Sequence, residues 1–238
     1  MKALGKLKIK IFADGADKAG LLANYRNPLI KGFTTNPTLM RKSGISDYEG
    51  FARDILSEIT DRPISLEVFS DEFDDMERQA LKINGWGENV YVKIPVTNTR
   101  GESAAALLAK LSAKGVKLNV TAIMTLEQVR EVSEVLADAP PCYISVFAGR
   151  IADTGRDPTP LVRDALALMA SRPQQEMIWA SPREVLNVVQ ADELGCHIIT
   201  VTNDLIAKLR GLGKDLSQFS LETVKMFYDD AVAAGFKL

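Results

Sequence analysis

One lysine stands alone in an apolar run. Lys93 is the only charged residue of Val90–Val96, Val-Tyr-Val-Lys-Ile-Pro-Val. Burying an ammonium is costly, so burial in such a run lowers the lysine pKa. A neutral amine can attack a ketone and form a Schiff base. The alternative is a lysine that snorkels its head to a wet rim. Asp14 ends a run of the same kind, Phe-Ala-Asp14, and Glu67 sits in another, Leu-Glu67-Val. Schiff-base formation and carbon–carbon cleavage each need several proton transfers, which two carboxylates in different surroundings can share. Each could instead pair with a basic group, and Asp14 could cap the helix that follows it. Arg150, Ser181 and Arg183 come just after two further runs. Two guanidiniums and a hydroxyl near a helix start can hold a phosphate, or can sit on the surface in salt bridges.

These residues need elements to position them. Eight β-rich runs are Lys8–Ala13, Leu29–Thr34, Ile64–Phe69, Val90–Val96, Lys117–Ile123, Cys142–Ala148, Met177–Ala180 and His197–Val201. Between and after them lie amphipathic segments at 18–25, 47–59, 74–82, 103–114, 126–137, 160–171, 183–194 and 204–209, and a last helix at about 221–234. Their apolar positions recur every three or four residues, as in Val129, Val132, Val135 and Leu136. Strands separated by helices make parallel βαβ units. Eight units fit a single closed α/β barrel, (β/α)8 of the TIM type, over residues 1–238, with an additional C-terminal helix at about 216–238. An open doubly wound sheet is the competing arrangement.

Every strand turns polar near its C-terminal end: Asp14, Thr35-Asn36, Glu67, Lys93, Asn119 and Thr121, Ser145 with Arg150 beyond it, Ser181, and Thr202-Asn203. In a barrel those ends share one mouth. A buried polar group costs stability unless it is hydrogen-bonded, so polar groups on all eight strands point to a wet pocket.

The chain of 238 residues has 29 Lys and Arg against 31 Asp and Glu, a net charge of -2. It offers no basic field for nucleic acid and no polybasic membrane patch. Cys142 and Cys196 are too few for a disulfide framework and read as small buried hydrophobes. His197, the single histidine, rules out a multi-histidine zinc site and precedes the eighth strand, away from the mouth; it reads as structural. No apolar run approaches a membrane span, and Met1–Phe12 lacks a signal-peptide block, which gives a cytoplasmic expectation. Asn119-Val-Thr121 is a glycosylation sequon inside an apolar stretch and should stay unmodified there.

Six motifs in order resemble the transaldolase family, in particular its short single-domain members, which are related to fructose-6-phosphate aldolase. They are Ala-Asp14-Gly-Ala-Asp17, Thr34-Thr35-Asn36-Pro37-Thr38, Val92-Lys93-Ile-Pro95, Asn119-Val-Thr121, Ser145-Val-Phe147-Ala-Gly-Arg150 and Ala180-Ser181-Pro-Arg183. The resemblance implies roles by position. Lys93 is the Schiff-base lysine, and Asp14 takes the C4 hydroxyl proton. Glu67 and Thr121 hold a catalytic water. Asn36 and Asn119 hold the dihydroxyacetone hydroxyls, with Thr35, Ser145 and Phe147 beside them. Arg150, Ser181 and Arg183 take the phosphate. The aldolase relative carries Gln, Gly and Tyr where Glu67, Asn119 and Phe147 stand here, which favours transfer over simple cleavage. The resemblance further implies sugar phosphate substrates of the pentose phosphate type, no metal or organic cofactor, and a homo-oligomer, a pentamer or decamer, in which the last helix packs on a neighbour. Two other readings remain: an aldolase that releases dihydroxyacetone, and a phosphosugar-binding protein without turnover. The segment 151–158 and the 181–183 turn differ from the usual family versions and border the acceptor side.

Overall fold

The computed structural model describes residues 4–238, so the first three residues of the Met1–Phe12 segment lie outside it. Eight parallel strands close into a barrel in chain order: β1 Lys10–Asp14, β2 Ile30–Thr34, β3 Ile64–Glu67, β4 Val90–Pro95, β5 Leu118–Ile123, β6 Cys142–Val146, β7 Gln175–Trp179 and β8 Ile198–Thr202. The pairing of β8 with β1, from Lys10 opposite Ile198 to Asp14 opposite Thr202, closes the ring and excludes the open sheet. The helices are α1 Lys18–Tyr25, α2 Pro37–Lys42, α3 Tyr48–Glu58, α4 Phe73–Asn84, α5 Ala105–Ala113, α6 Leu126–Val135, α7 Ala148–Ala152, α8 Thr159–Met169, α9 Leu186–Glu193, α10 Asn203–Lys208 and α11 Leu216–Ala234.

Two of these helices, α2 and α7, were not legible in the apolar periodicity, because neither is long enough to repeat it. The start of α2 has a local cause: the Asn36 side chain accepts from the Leu39 N–H, and Pro37 occupies the first turn, where its missing N–H costs nothing. Helix α7 begins at Ala148, inside what the sequence reads as the end of a strand. The cap of α1 is Asp17, which accepts from the Gly20 N–H; Asp14 is left free for the barrel interior.

Apolar side chains form two cores. The larger lies between sheet and helices and includes Ile55, Met76, Leu108, Val129, Val162 and Val188. The smaller lies inside the barrel, where Phe12, Tyr143, Ile178 and Ile198 pack with Tyr91. The Tyr91 and Tyr143 rings stack with centroids 4.1 Å apart, and Phe12 meets Tyr143 edge-on at 5.7 Å. This apolar plug floors the upper barrel. The Phe12 ring reaches over β2 only because residue 32 is glycine: a Cβ there would lie 2.5 Å from Phe12 Cζ. Gly32→Ala is therefore expected to cost about 1–3 kcal/mol through overpacking. Urea unfolding measures this, and Phe12→Leu in the same chain should recover part of it.

The other sequence expectations find plain structural reasons. His197 is half-buried beneath the floor and its Nδ1 accepts from the Met177 N–H; burial holds its pKa below the ordinary imidazole value. Cys142 and Cys196 are buried, and desolvation pushes both thiols up to about 12. Asn119 is fully buried. Among the described residues, no helix is long and apolar enough to cross a membrane. Helix α11 stands apart from the rest, since none of its residues is buried.

Candidate active site

A cavity of about 510 Å³ opens at the C-terminal ends of the strands. Strand alternation aims Asp14, Thr34, Glu67, Lys93, Thr121, Ser145 and Thr200 into the upper barrel, above the aromatic floor. Lys93 is 6% exposed. Its Nζ lies 3.0 Å from Glu67 Oε2 and donates to the Thr35 carbonyl at 3.1 Å. The register explains the first contact: Lys93 of β4 stands directly opposite Glu67 of β3. Asp14 has a different environment. Thr34 Oγ1 donates to its Oδ1 at 2.7 Å and lies 2.5 Å from Thr200 Oγ1. Burial raises the Asp14 pKa above the ordinary carboxylate value, opposed by the Lys93 charge and the Thr34 hydrogen bond. The two carboxylates thus flank one lysine, one ion-paired and the other held by a hydroxyl.

Under this layer runs a polar chain. Ser145 Oγ donates to Asn119 Oδ1 at 2.6 Å, and Asn119 Nδ2 donates to Ser65 Oγ at 2.9 Å. Thr35 Oγ1 donates to the Ser65 carbonyl. Thr35 and Asn119 are therefore absent from the cavity wall: Thr35 offers Lys93 its carbonyl, and Asn119 braces Ser145 from behind. Asn36 lines the cavity with its side-chain oxygen already committed to capping α2. Thr121 Oγ1 is buried without a hydrogen-bond partner, an orphaned hydroxyl in the wall.

Arg150, Ser181 and Arg183 line the mouth with Phe147. The Arg150 guanidinium lies 5.9 Å from the Phe147 ring centroid, while Arg183 is paired with Asp153. Among the described residues, the two non-glycine residues at positive φ are Ala122 (φ 64) and Ser181 (φ 60), and both line this cavity. Backbone strain of this kind collects where function over-determines a loop. Thr200, Ala122 and Lys42 also line the cavity and escaped sequence reasoning, and Thr34 lines it too, although the motif that contains it gives it no role of its own. Alternation along β8 put Thr200 on the face of Thr202 and could have found it. A hollow of about 570 Å³ lies below the floor at the other end of the barrel, with Lys10, Lys31 and Lys117 in its wall. All three ammoniums are already engaged, with Glu176 and the carbonyls of Pro28 and Glu88 respectively.

A closed (β/α)8 barrel with a buried lysine between two carboxylates and arginines at its mouth defines an enzyme-type site at the usual end of this fold. The family model for transaldolase/fructose-6-phosphate aldolase matches residues 11–238. Proteins named "Probable transaldolase" from Streptococcus pyogenes serotype M5 (strain Manfredo) and serotype M1 are each 37% identical over 202 residues, covering 84% of this chain and 90% of theirs. The chain belongs to the transaldolase/fructose-6-phosphate aldolase family, whose members move aldehyde and ketone fragments. Two solved structures share the fold alone. "QR15, an Aldolase" superimposes with a TM-score of 0.55 at 12% identity, covering 82% of this chain and 91% of its own. A mandelate oxidase variant with a C4a-OH-FMN adduct gives 0.58 at 14% identity, covering 98% and 77%.

Proposed function

We propose that this chain is a transaldolase that moves a dihydroxyacetone unit between sugar phosphates through a Schiff base on Lys93. The observation that carries the reading is the Lys93 nitrogen, buried 3.0 Å from Glu67 in the same cavity as a second carboxyl, Asp14, whose pKa burial raises. Glu67 takes the ammonium proton, and the free amine attacks C2 of a ketose such as fructose 6-phosphate. Loss of water gives an iminium. The orphaned Thr121 hydroxyl supports a role, with Glu67, in holding the water that carries these protons. The iminium then draws in the C3–C4 bonding pair as Asp14 accepts the C4 hydroxyl proton. An aldose phosphate leaves and a three-carbon enamine stays on Lys93. A raised carboxyl pKa suits a group that must hold that proton until the acceptor arrives. The enamine next attacks an aldehyde such as erythrose 4-phosphate, and hydrolysis frees the lysine. Ser145, braced by Asn119, and Asn36 meet the three-carbon unit; Arg150, Ser181 and Arg183 take the phosphate. The Phe147 ring has no proton to offer the enamine, which favours transfer to an acceptor over release of dihydroxyacetone.

Borohydride reduction with fructose 6-phosphate tests the covalent step. Peptide mapping should find the added mass on the Lys93 peptide. No adduct would leave only a phosphosugar binder, and free dihydroxyacetone formed without acceptor would make the chain an aldolase. The exposed apolar residues of α11, including Phe219, Val224, Phe227 and Tyr228, support packing on another copy of the chain. Sedimentation should therefore show a homo-oligomer, whose size the resemblance to the short family members puts at a pentamer or decamer, and monomer mass at all concentrations would refute it.

A further inference from the structure

We propose that α7 and the 181–183 turn form one mechanical unit, fastened at Gly149 and Asp153, and that these two residues position the Arg183 guanidinium for an anionic substrate group. The inference rests on the reading of this rim as the phosphate subsite.

The first fastening is backbone on backbone. The Gly149 N–H donates to the Ala180 carbonyl at 3.4 Å. A Cβ at residue 149 would fall 1.6 Å from the Ser181 carbonyl oxygen and 2.7 Å from its carbon. No side-chain motion relieves that contact, so only glycine lets the two loops meet. On the other side of the contact, Ser181 holds a left-handed φ of 60, and the Arg183 N–H is tied to Asn187 Oδ1 at 2.7 Å.

The second fastening is one helical turn away. Asp153 N–H bonds back to the Gly149 carbonyl at 3.0 Å, so the stretch that touches Ser181 also aims the Asp153 carboxylate. That carboxylate accepts from Arg183 Nε at 2.9 Å and from one terminal nitrogen of the same fork. A guanidinium has five N–H donors. Two are spent on Asp153, which fixes the plane and leaves the remaining edge for a ligand. Arg150, on the same short helix, makes no ion pair among the described residues but acts on Asp153 through its charge, so two guanidiniums share one carboxylate and a net positive charge is left at the rim. The distance between the two guanidiniums is thus set by contacts that touch no substrate.

Reductive trapping on Lys93 reads this separately from the chemistry. Half-saturating concentrations are measured with fructose 6-phosphate, which carries a phosphate, and with dihydroxyacetone, which does not. Gly149→Ala should raise the first at least tenfold and leave the second within twofold. Asp153→Ala should raise the first about fivefold, with kcat at saturation unchanged and Asp153→Glu recovering part of the loss. An equal shift for both ligands, no shift, or tighter binding of fructose 6-phosphate would overturn the proposal. If Gly149→Ala does not fold, the Asp153 series decides. Arg183→Gln separates the two layers of the argument. If it leaves fructose 6-phosphate unaffected, the phosphate subsite itself is misassigned and this proposal falls with it. If it weakens that ligand while the Gly149 and Asp153 variants do not, the positioning claim alone fails.

Discussion

Replacing Lys93 with methionine should abolish turnover and the borohydride adduct together. A Schiff base has no substitute nucleophile here, since Lys42, the other lysine of the cavity wall, is an exposed residue of α2 and not part of the Glu67 contact. The expected loss in kcat/KM is at least 10⁴-fold, which corresponds to about 5.5 kcal/mol of transition-state stabilisation. Methionine conserves the volume of the stem, so the barrel should still close. The variant strands Glu67, whose side chain is 15% exposed, without its cation. That should cost about 1–3 kcal/mol, at the lower end because water still reaches the carboxylate. Adding Glu67→Gln should return most of the stability and none of the activity. Urea titration and a coupled transfer assay on the same samples check both halves. Turnover retained in Lys93→Met would remove the covalent mechanism.

Asp14→Asn should do the opposite to stability while also stopping catalysis. The amide still accepts from Thr34 Oγ1 but cannot take the C4 hydroxyl proton, so kcat should fall by about 10²–10⁴. The folded pKa of Asp14 is raised by burial, which means ionising it costs more in the barrel than in the unfolded chain. Its contribution to stability is whole below the unfolded value of about 3.9, and is lost as pH rises through the raised folded value. At pH 7 the wild-type chain bears that cost and the asparagine variant does not. The variant should therefore melt higher at pH 7, and the two curves should converge as pH falls towards about 4. A variant that melts lower at pH 7, or a gap that does not close on acidification, would contradict the raising of the Asp14 pKa by burial.

The alternation of eight apolar runs with eight amphipathic segments is local information, so strand order and βα architecture were readable from residue types alone. All eight strands lie within two residues of their expected bounds. A polar residue at the end of an apolar run carries its own signal, because its burial must be compensated. That is why Lys93, Asp14, Glu67, Thr121, Ser145 and the three mouth residues could be named, and all of them line one cavity.

What the chain pattern could not decide depends on contacts across the ring. Closure needed the β1–β8 register, a pairing of residues nearly two hundred positions apart. Period-two alternation gives a face but not a neighbour, so nothing in the sequence put Glu67 directly against Lys93 while giving Asp14 to Thr34 and Thr200. The same limit hid the withdrawal of the Thr35 and Asn119 side chains from the cavity, and the short helix that carries Arg150. The approach of Gly149 to Ser181 was invisible for the same reason. Residue chemistry selected the actors, and long-range packing assigned each carboxylate its partner, because desolvation and hydrogen bonding exist only once distant strands meet.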